Sequence, residues 1–151
     1  MPVVPTKITS ANTSIYVNEG SSTVSKLKPG TSAGTLLALI SEKKYCVIKG
    51  NNLNIGSSSI VGTGMKVCIM DGATIKRSYS IIVTGDVNGD GKVNITDMIA
   101  VKSNILGKSY LTGLYKLAGD VSGDGKVNIT DFIKIKAAIL GKSQIDGVAV
   151  K

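Results

Sequence analysis

Gly85-Asp-Val-Asn-Gly-Asp-Gly-Lys-Val-Asn-Ile-Thr-Asp97 and Gly119-Asp-Val-Ser-Gly-Asp-Gly-Lys-Val-Asn-Ile-Thr-Asp131 differ only at Asn88 against Ser122. The offset is 34 residues, and continued to Ser109 and Ser143 it aligns 25 positions with six differences. The C-terminal half is therefore a duplication. A period of 34 also suits helical solenoids, but those need more than two copies and do not open on Gly-rich loops.

Each copy opens with the ligand spacing of an EF-hand-type calcium loop: oxygen donors at positions 1, 3, 5, 9 and 12, Gly at 6 and a carbonyl at 7. In the first loop these places fall to Asp86, Asn88, Asp90, Gly91, Lys92, Asn94 and Asp97. In the second they fall to Asp120, Ser122, Asp124, Gly125, Lys126, Asn128 and Asp131. Calcium takes about six to eight oxygens, so the chain must wrap the ion, and glycine at position 6 permits the sharp turn. Lys92 and Lys126 would offer only their carbonyls. Asp-Gly and Asn-Gly also make ordinary turns, but a pattern this strict met twice favours the metal. Six of the ten acidic residues lie in these loops. Position 12 is Asp in both, a shorter arm than the usual Glu, and Ser122 at position 3 makes the second site the weaker expected one.

A helix is expected after each loop and none before it. Thr96 and Thr130 are the expected caps of helices running to Leu106 and Leu140, with Gly107 and Gly141 ending them in the left-handed conformation. Met98, Val101 and Ile105, with Ile99 and Leu106 beside them, read as a core stripe, as do Phe132, Ile135 and Ile139 with Ile133 and Leu140. Val93 and Val127 would pair the loops through a short strand-like contact, leaving Ile95 and Ile129 exposed. Residues 77–84 read as a strand with Tyr79, Ile81 and Val83 alternating, so the first loop is entered from a strand. Tyr110–Ala118 reads as a short helix interrupted by Gly113.

Residues 85 to about 143 resemble a type I dockerin domain, a family built from two loop-helix calcium repeats. The resemblance rests on the Asp-x-Asn-x-Asp-Gly-x-Val-Asn-x-x-Asp pattern, met nearly twice over. It implies two bound Ca²⁺ and docking onto a cohesin module of a scaffold or cell-surface protein, as in a cellulosome-like complex. It also implies a secreted or cell-surface setting. Carried over position by position, the cohesin contacts would be Ile95, Thr96, Lys102 and Ser103 in the first repeat and Ile129, Thr130, Lys136 and Ala137 in the second. The best-known members have Ser-Thr where this chain has Ile-Thr, which makes the contact more apolar. Since Ile95-Thr96 equals Ile129-Thr130, either repeat is a candidate docking face.

Residues 1–84 read as short strands around Thr13–Val17, Lys44–Lys49, Met65–Met70 and Ser78–Val83, with a Pro29-Gly30 turn and a short helix over 32–40. The expected fold class is thus two domains. The first, 1–84, is small, β-rich and Ig-like, similar to the X modules that accompany dockerins. The second, 85–151, is an all-α dockerin fold with repeats 85–109 and 119–143. Only Thr84-Gly85 joins them, which implies a rigid junction and an N-terminal domain that stabilises or extends the dockerin. The apolar tail after Gln144 either packs back on the domain or is left in solvent. Cys46 and Cys68 either pair or remain buried thiols; their apolar, strand-like contexts favour the latter.

Composition narrows the function further. Histidine is absent and there are two cysteines, so zinc sites and His-based triads are excluded. The four acidic residues Glu19, Glu42, Asp71 and Asp146 outside the loops form no catalytic arrangement, so no enzyme is expected. Net charge is +8, but the basic residues are scattered, Trp is absent and Phe occurs once, which argues against nucleic acid. The longest purely apolar run, Leu36–Ile40, is five residues, too short to enter a membrane as a span. The N-terminus shows no signal-peptide pattern, so either a cytosolic protein or a fragment of a longer secreted chain is expected. The expected function is a noncatalytic assembly module, monomeric before docking. The alternative is a calcium-stabilised adhesion or carbohydrate-binding fragment of a secreted polysaccharide-degrading protein, to which the poverty in aromatic rings is unfavourable.

Overall fold

The computed structural model describes residues 3–151. Its spine is a hairpin. β5 (Lys66–Asp71) and β6 (Thr74–Val83) pair antiparallel across a two-residue turn that Gly72 enters at φ 61°, a conformation glycine adopts without steric cost. β3 (Cys46–Gly50) joins the free side of β5 and carries the two-residue β4 (Leu53–Asn54) at its outer edge. On the other side of β6 lies β2 (Thr23–Leu27), parallel to it, with β1 (Tyr16–Asn18) antiparallel at the far edge. The result is one six-stranded sheet in the order β1-β2-β6-β5-β3-β4.

Side chains alternate across a strand, and β6 uses both faces. Tyr79, Ile81 and Val83 join Val24, Leu27, Ile48, Val67 and Ile69 in a core that α1 (Ala33–Ala38) covers with the fully buried Leu36. Ser32 caps α1, its hydroxyl accepting the N–H of Thr35 at 3.2 Å. Ile82 points to the opposite face and enters a second core with Val87, Val101, Ala118, Val121, Ile135 and Ile145. That second core lies among α2 (Ile95–Ile105), α3 (Gly113–Gly119) and α4 (Ile129–Ile139). Gly113, expected to interrupt a helix, begins α3 instead, at φ 56°.

The expected fold class needs correction. The chain is mixed α/β, with a six-stranded sheet over residues 16–83 followed by helices over 95–139, and not an Ig-like domain followed by an all-α one. An Ig-like fold packs two antiparallel sheets face to face, whereas here a single sheet contains a parallel pair and takes a helix on one face. Nor do the helical repeats close their own core: Ile82 of β6 supplies part of it. The tail ties the two parts again. Lys26 sits at φ 68° where the β2–β6 register shifts, which turns its N–H toward the Val148 carbonyl at 3.0 Å. Val148 N–H donates to Thr84 Oγ1 at 2.9 Å and Val150 N–H to Ser25 Oγ at 2.8 Å. Of the two alternatives for the tail, packing is therefore the one observed.

The two cysteines are free and buried. Cys46 stands opposite Ile69 and Val47 opposite Cys68, so the two thiols leave adjacent strands on opposite faces of the sheet, a geometry no disulfide spans. Burial pushes the Cys46 thiol up from 9.0 to about 11, and the Glu42 charge adds to it.

Candidate calcium loops and docking surface

The helix that follows each loop is started by the loop itself. Asn94 and Asn128, not Thr96 and Thr130, are the N-caps: each amide oxygen accepts the N–H of the threonine two residues on, at 2.8 Å. The threonines lie one step inside the helix, where the hydroxyl no longer faces the free N–H groups. Asp97 and Asp131 close the capping box, accepting the Asn94 and Asn128 N–H at 3.0 and 2.7 Å. Their other oxygens reach back across the loops to the N–H of Val87 at 3.0 Å and of Ser122 at 2.9 Å. Position 12 thus pins both ends of the loop to the first turn of the helix. Gly107 at φ 69° and Gly141 at φ 72° end the helices.

Position 1 organises the other side. Asp86 Oδ1 accepts from Gly89 and Asp90 and Oδ2 from Gly91, at 2.8, 3.1 and 2.8 Å. Asp120 repeats this with Gly123, Asp124 and Gly125 at the same three distances. Position 5 accepts the position 7 N–H at 2.9 Å in both, Asp90 from Lys92 and Asp124 from Lys126. Asn88 and Asn94 lean on Asp90 Oδ2 at 3.4 and 3.3 Å; Ser122 and Asn128 reach Asp120 Oδ1 and Asp124 Oδ2 at 3.2 and 3.1 Å. Hydrogen bonds thus link Asp86, Asn88, Asp90, Asn94 and Asp97 in the first loop and Asp120, Ser122, Asp124, Asn128 and Asp131 in the second.

Charge tests whether the donors fit a cation. Asp120, Asp124 and Asp131 offer oxygens that all lie within 4.8 Å of one another. Among the described residues the ion pairs are Lys28–Asp146, Lys76–Asp71 and Arg77–Glu19, so no loop carboxylate is paired. Burial pushes the Asp86 and Asp97 carboxyls up, and the charge of Asp90 adds to both; the Lys126 N–H and the Asn128 amide hold exposed Asp124 down. Converging hard oxygens with uncompensated charge are the donor set of Ca²⁺, and Asp120, Asp124 and Asp131 of the second loop fit it.

Val93 and Val127 pack onto the second core, but no ladder joins them among the described residues; the isolated bridges lie elsewhere, at Ser10–Ile40 and Ser32–Ile60. The helix stripes also divide differently from expectation. Val101 and Ile135 are fully buried, and Met98, Phe132 and Ile139 pack partly against them. Ile99, Leu106, Ile133 and Leu140 face outward. With Ile95 and Ile129 they make two strips whose exposures match pair by pair: 53% and 57% at the first position, 55% and 57% at the second, 56% and 58% at the third. Positions 95, 99, 102, 103 and 106 recur on one helical face. Thr96 and Lys102, Thr130 and Lys136 are exposed, and Ser103 and Ala137 half-buried. The signal for the outward apolar residues was in the sequence, since they fall a turn apart from Ile95 and Ile129, but periodicity does not say which of two apolar faces meets the core.

Residues 84–140 match the model of the Dockerin type I domain family. Dockerin domains are noncatalytic, bind calcium and engage cohesin-type protein partners. Searches of curated proteins and of solved structures returned no match. Among the described residues no helix is long and apolar enough to cross a membrane.

Proposed function

We propose that the chain is a noncatalytic assembly module that binds two Ca²⁺, one per loop, and docks a cohesin, attaching its parent protein to an extracellular or cell-surface complex of the cellulosome kind. The calcium donors are Asp86, Asn88, Asp90, the Lys92 carbonyl, Asn94 and Asp97, and in the second loop Asp120, Ser122, Asp124, the Lys126 carbonyl, Asn128 and Asp131. Bound calcium would supply positive charge to the three carboxylates of each loop while position 12 holds the helix start in place. The chain acts as a monomer before docking. Residues 1–84 and 85–151 act as two domains, the first stiffening the second.

One observation carries this reading: the same outward apolar strip, flanked by Lys102 and Ser103 or by Lys136 and Ala137, stands on both α2 and α4. A monomer gains nothing by leaving three large aliphatic side chains in water on each helix, and a docking surface does. Ile95, Thr96, Lys102 and Ser103 with Ile99 and Leu106 form one face; Ile129, Thr130, Lys136 and Ala137 with Ile133 and Leu140 form the other. Calorimetry with a cohesin in millimolar Ca²⁺ and again in EDTA tests it: one-to-one binding that EDTA abolishes is expected, and binding indifferent to EDTA would refute the calcium dependence.

A further inference from the structure

We propose that the sheet-bearing part of the chain builds an outer wall for the first loop and none for the second, so that two loops of nearly identical sequence are unequal calcium sites, the first preformed and the second self-supporting. The proposal rests on the calcium reading above. Thr63 N–H donates to Asp86 Oδ2 at 2.9 Å, a hydrogen bond from outside the loop, whereas the fourth bond to Asp120 comes from Ser122 Oγ within its own loop at 3.2 Å. Thr63 is itself locked, its hydroxyl accepting Val83 N–H at 3.0 Å and donating to the Val83 carbonyl at 3.2 Å. Gly30 N–H donates to the Gly91 carbonyl at 3.0 Å.

The backbones are also in contact. A Cβ on Gly62 would lie 2.1 Å from the Gly89 carbonyl oxygen, and one on Gly91 would lie 2.5 Å from the Val61 carbonyl oxygen. No side chain fits at either place. In the second loop the equivalent of Gly91, Gly125, has nothing within 4 Å, and the equivalent of Gly89, Gly123, meets only the Val148 side chain. Asp86 is fully buried while Asp120 is half-buried. Loop residues already held in the bound shape are not ordered at the expense of binding. One polar bond to a charged group, lost or kept, corresponds to about tenfold in affinity.

Ser122 offers a rival explanation, since a hydroxyl in place of an amide weakens the second site whatever surrounds it. Calcium calorimetry and chelator-driven release on the whole chain separate the two, with Asp90→Ala and Asp124→Ala assigning the sites. The wall predicts two classes about tenfold or more apart, with Asp124→Ala removing the weaker, faster-releasing class and Asp90→Ala the tighter. Ser122→Asn should leave the gap open, and Gly62→Ala should narrow it by weakening the first site alone. Equal sites, the opposite assignment, or closure of the gap by Ser122→Asn would overturn the wall while leaving two-calcium binding intact. If no calcium binds at all, the calcium reading itself fails. Should Gly62→Ala not fold, the wild type and the other three variants still decide.

Discussion

Placing aspartate on the exposed strips is the sharpest perturbation of the docking face. Consider Ile99→Asp with Leu106→Asp on α2, Ile133→Asp with Leu140→Asp on α4, and all four together. Each of these side chains has between 55% and 58% of its surface still open to water. Full burial of a large aliphatic side chain is worth about 1.5–3 kcal/mol, so the part left to bury is worth about 1–1.5 kcal/mol each. Two per face give about 2–3 kcal/mol, or roughly 30- to 150-fold in affinity, before the cost of desolvating two carboxylates is added. None of the four lies in the buried core, so the fold should survive, as circular dichroism would report. Since the strips are equivalent, each single-face double variant should lose about twofold in affinity, the loss of one of two equal poses, and the quadruple variant should lose binding altogether. Titration against a cohesin in excess Ca²⁺ reads this directly. Loss of all binding from the α2 pair alone, with the α4 pair neutral, would refute the equivalence of the faces.

Chelation should lower the helical signal at 222 nm, with α4 lost at lower chelator than α2 because its loop has no wall. The raised Asp86 and Asp97 carboxyls favour the metal-free fold below their ordinary value of 3.8, an advantage that is lost as pH rises through their folded values. EDTA-treated protein should therefore keep more of α2 in mild acid than at neutral pH, and an unchanged helical signal after chelation at pH 7 would contradict the coupling. Cys46, with its thiol pushed from 9.0 to about 11, should ignore disulfide reagents at pH 8 until the sheet unfolds. Its contribution to stability is present below pH 9.0 and lost as pH rises toward 11; rapid native labelling at pH 8 would count against this. Gly147→Ala should dislodge the tail, since a Cβ there would sit on the Lys26 carbonyl. Losing three hydrogen bonds at about 1 kcal/mol each lowers Tm by roughly 5–10 °C, and an unchanged melting curve would show the strap to be dispensable.

The two loops and the helices they start were legible because their signals are local: the oxygen-donor spacing, the Gly at position 6 and the Gly after each helix all fall within one repeat. The sheet was legible in part. β3, β5 and β6 show apolar runs between turn residues, but β2 hides Thr23 and Ser25 in the core and breaks its ladder at Lys26, so Thr23–Leu27 does not read as a strand. Its parallel pairing with β6 joins segments far apart in the chain, and no local signal reports such a contact. That pairing is why a single mixed sheet replaced the expected sandwich. Residues 57–64, rich in Ser and Gly, read as plain loop, yet their backbone forms the wall of the first calcium site. Glycine there marks close approach of two backbones, and one sequence does not say which backbone approaches.

The most direct test of the account is a binding screen of this chain against a panel of cohesins in millimolar Ca²⁺, repeated in EDTA. Capture by at least one cohesin, abolished by EDTA and by the quadruple aspartate variant, is the predicted result. Capture that survives EDTA or the quadruple variant would contradict it, as would silence across the panel from a protein that calorimetry shows to be fully loaded with calcium.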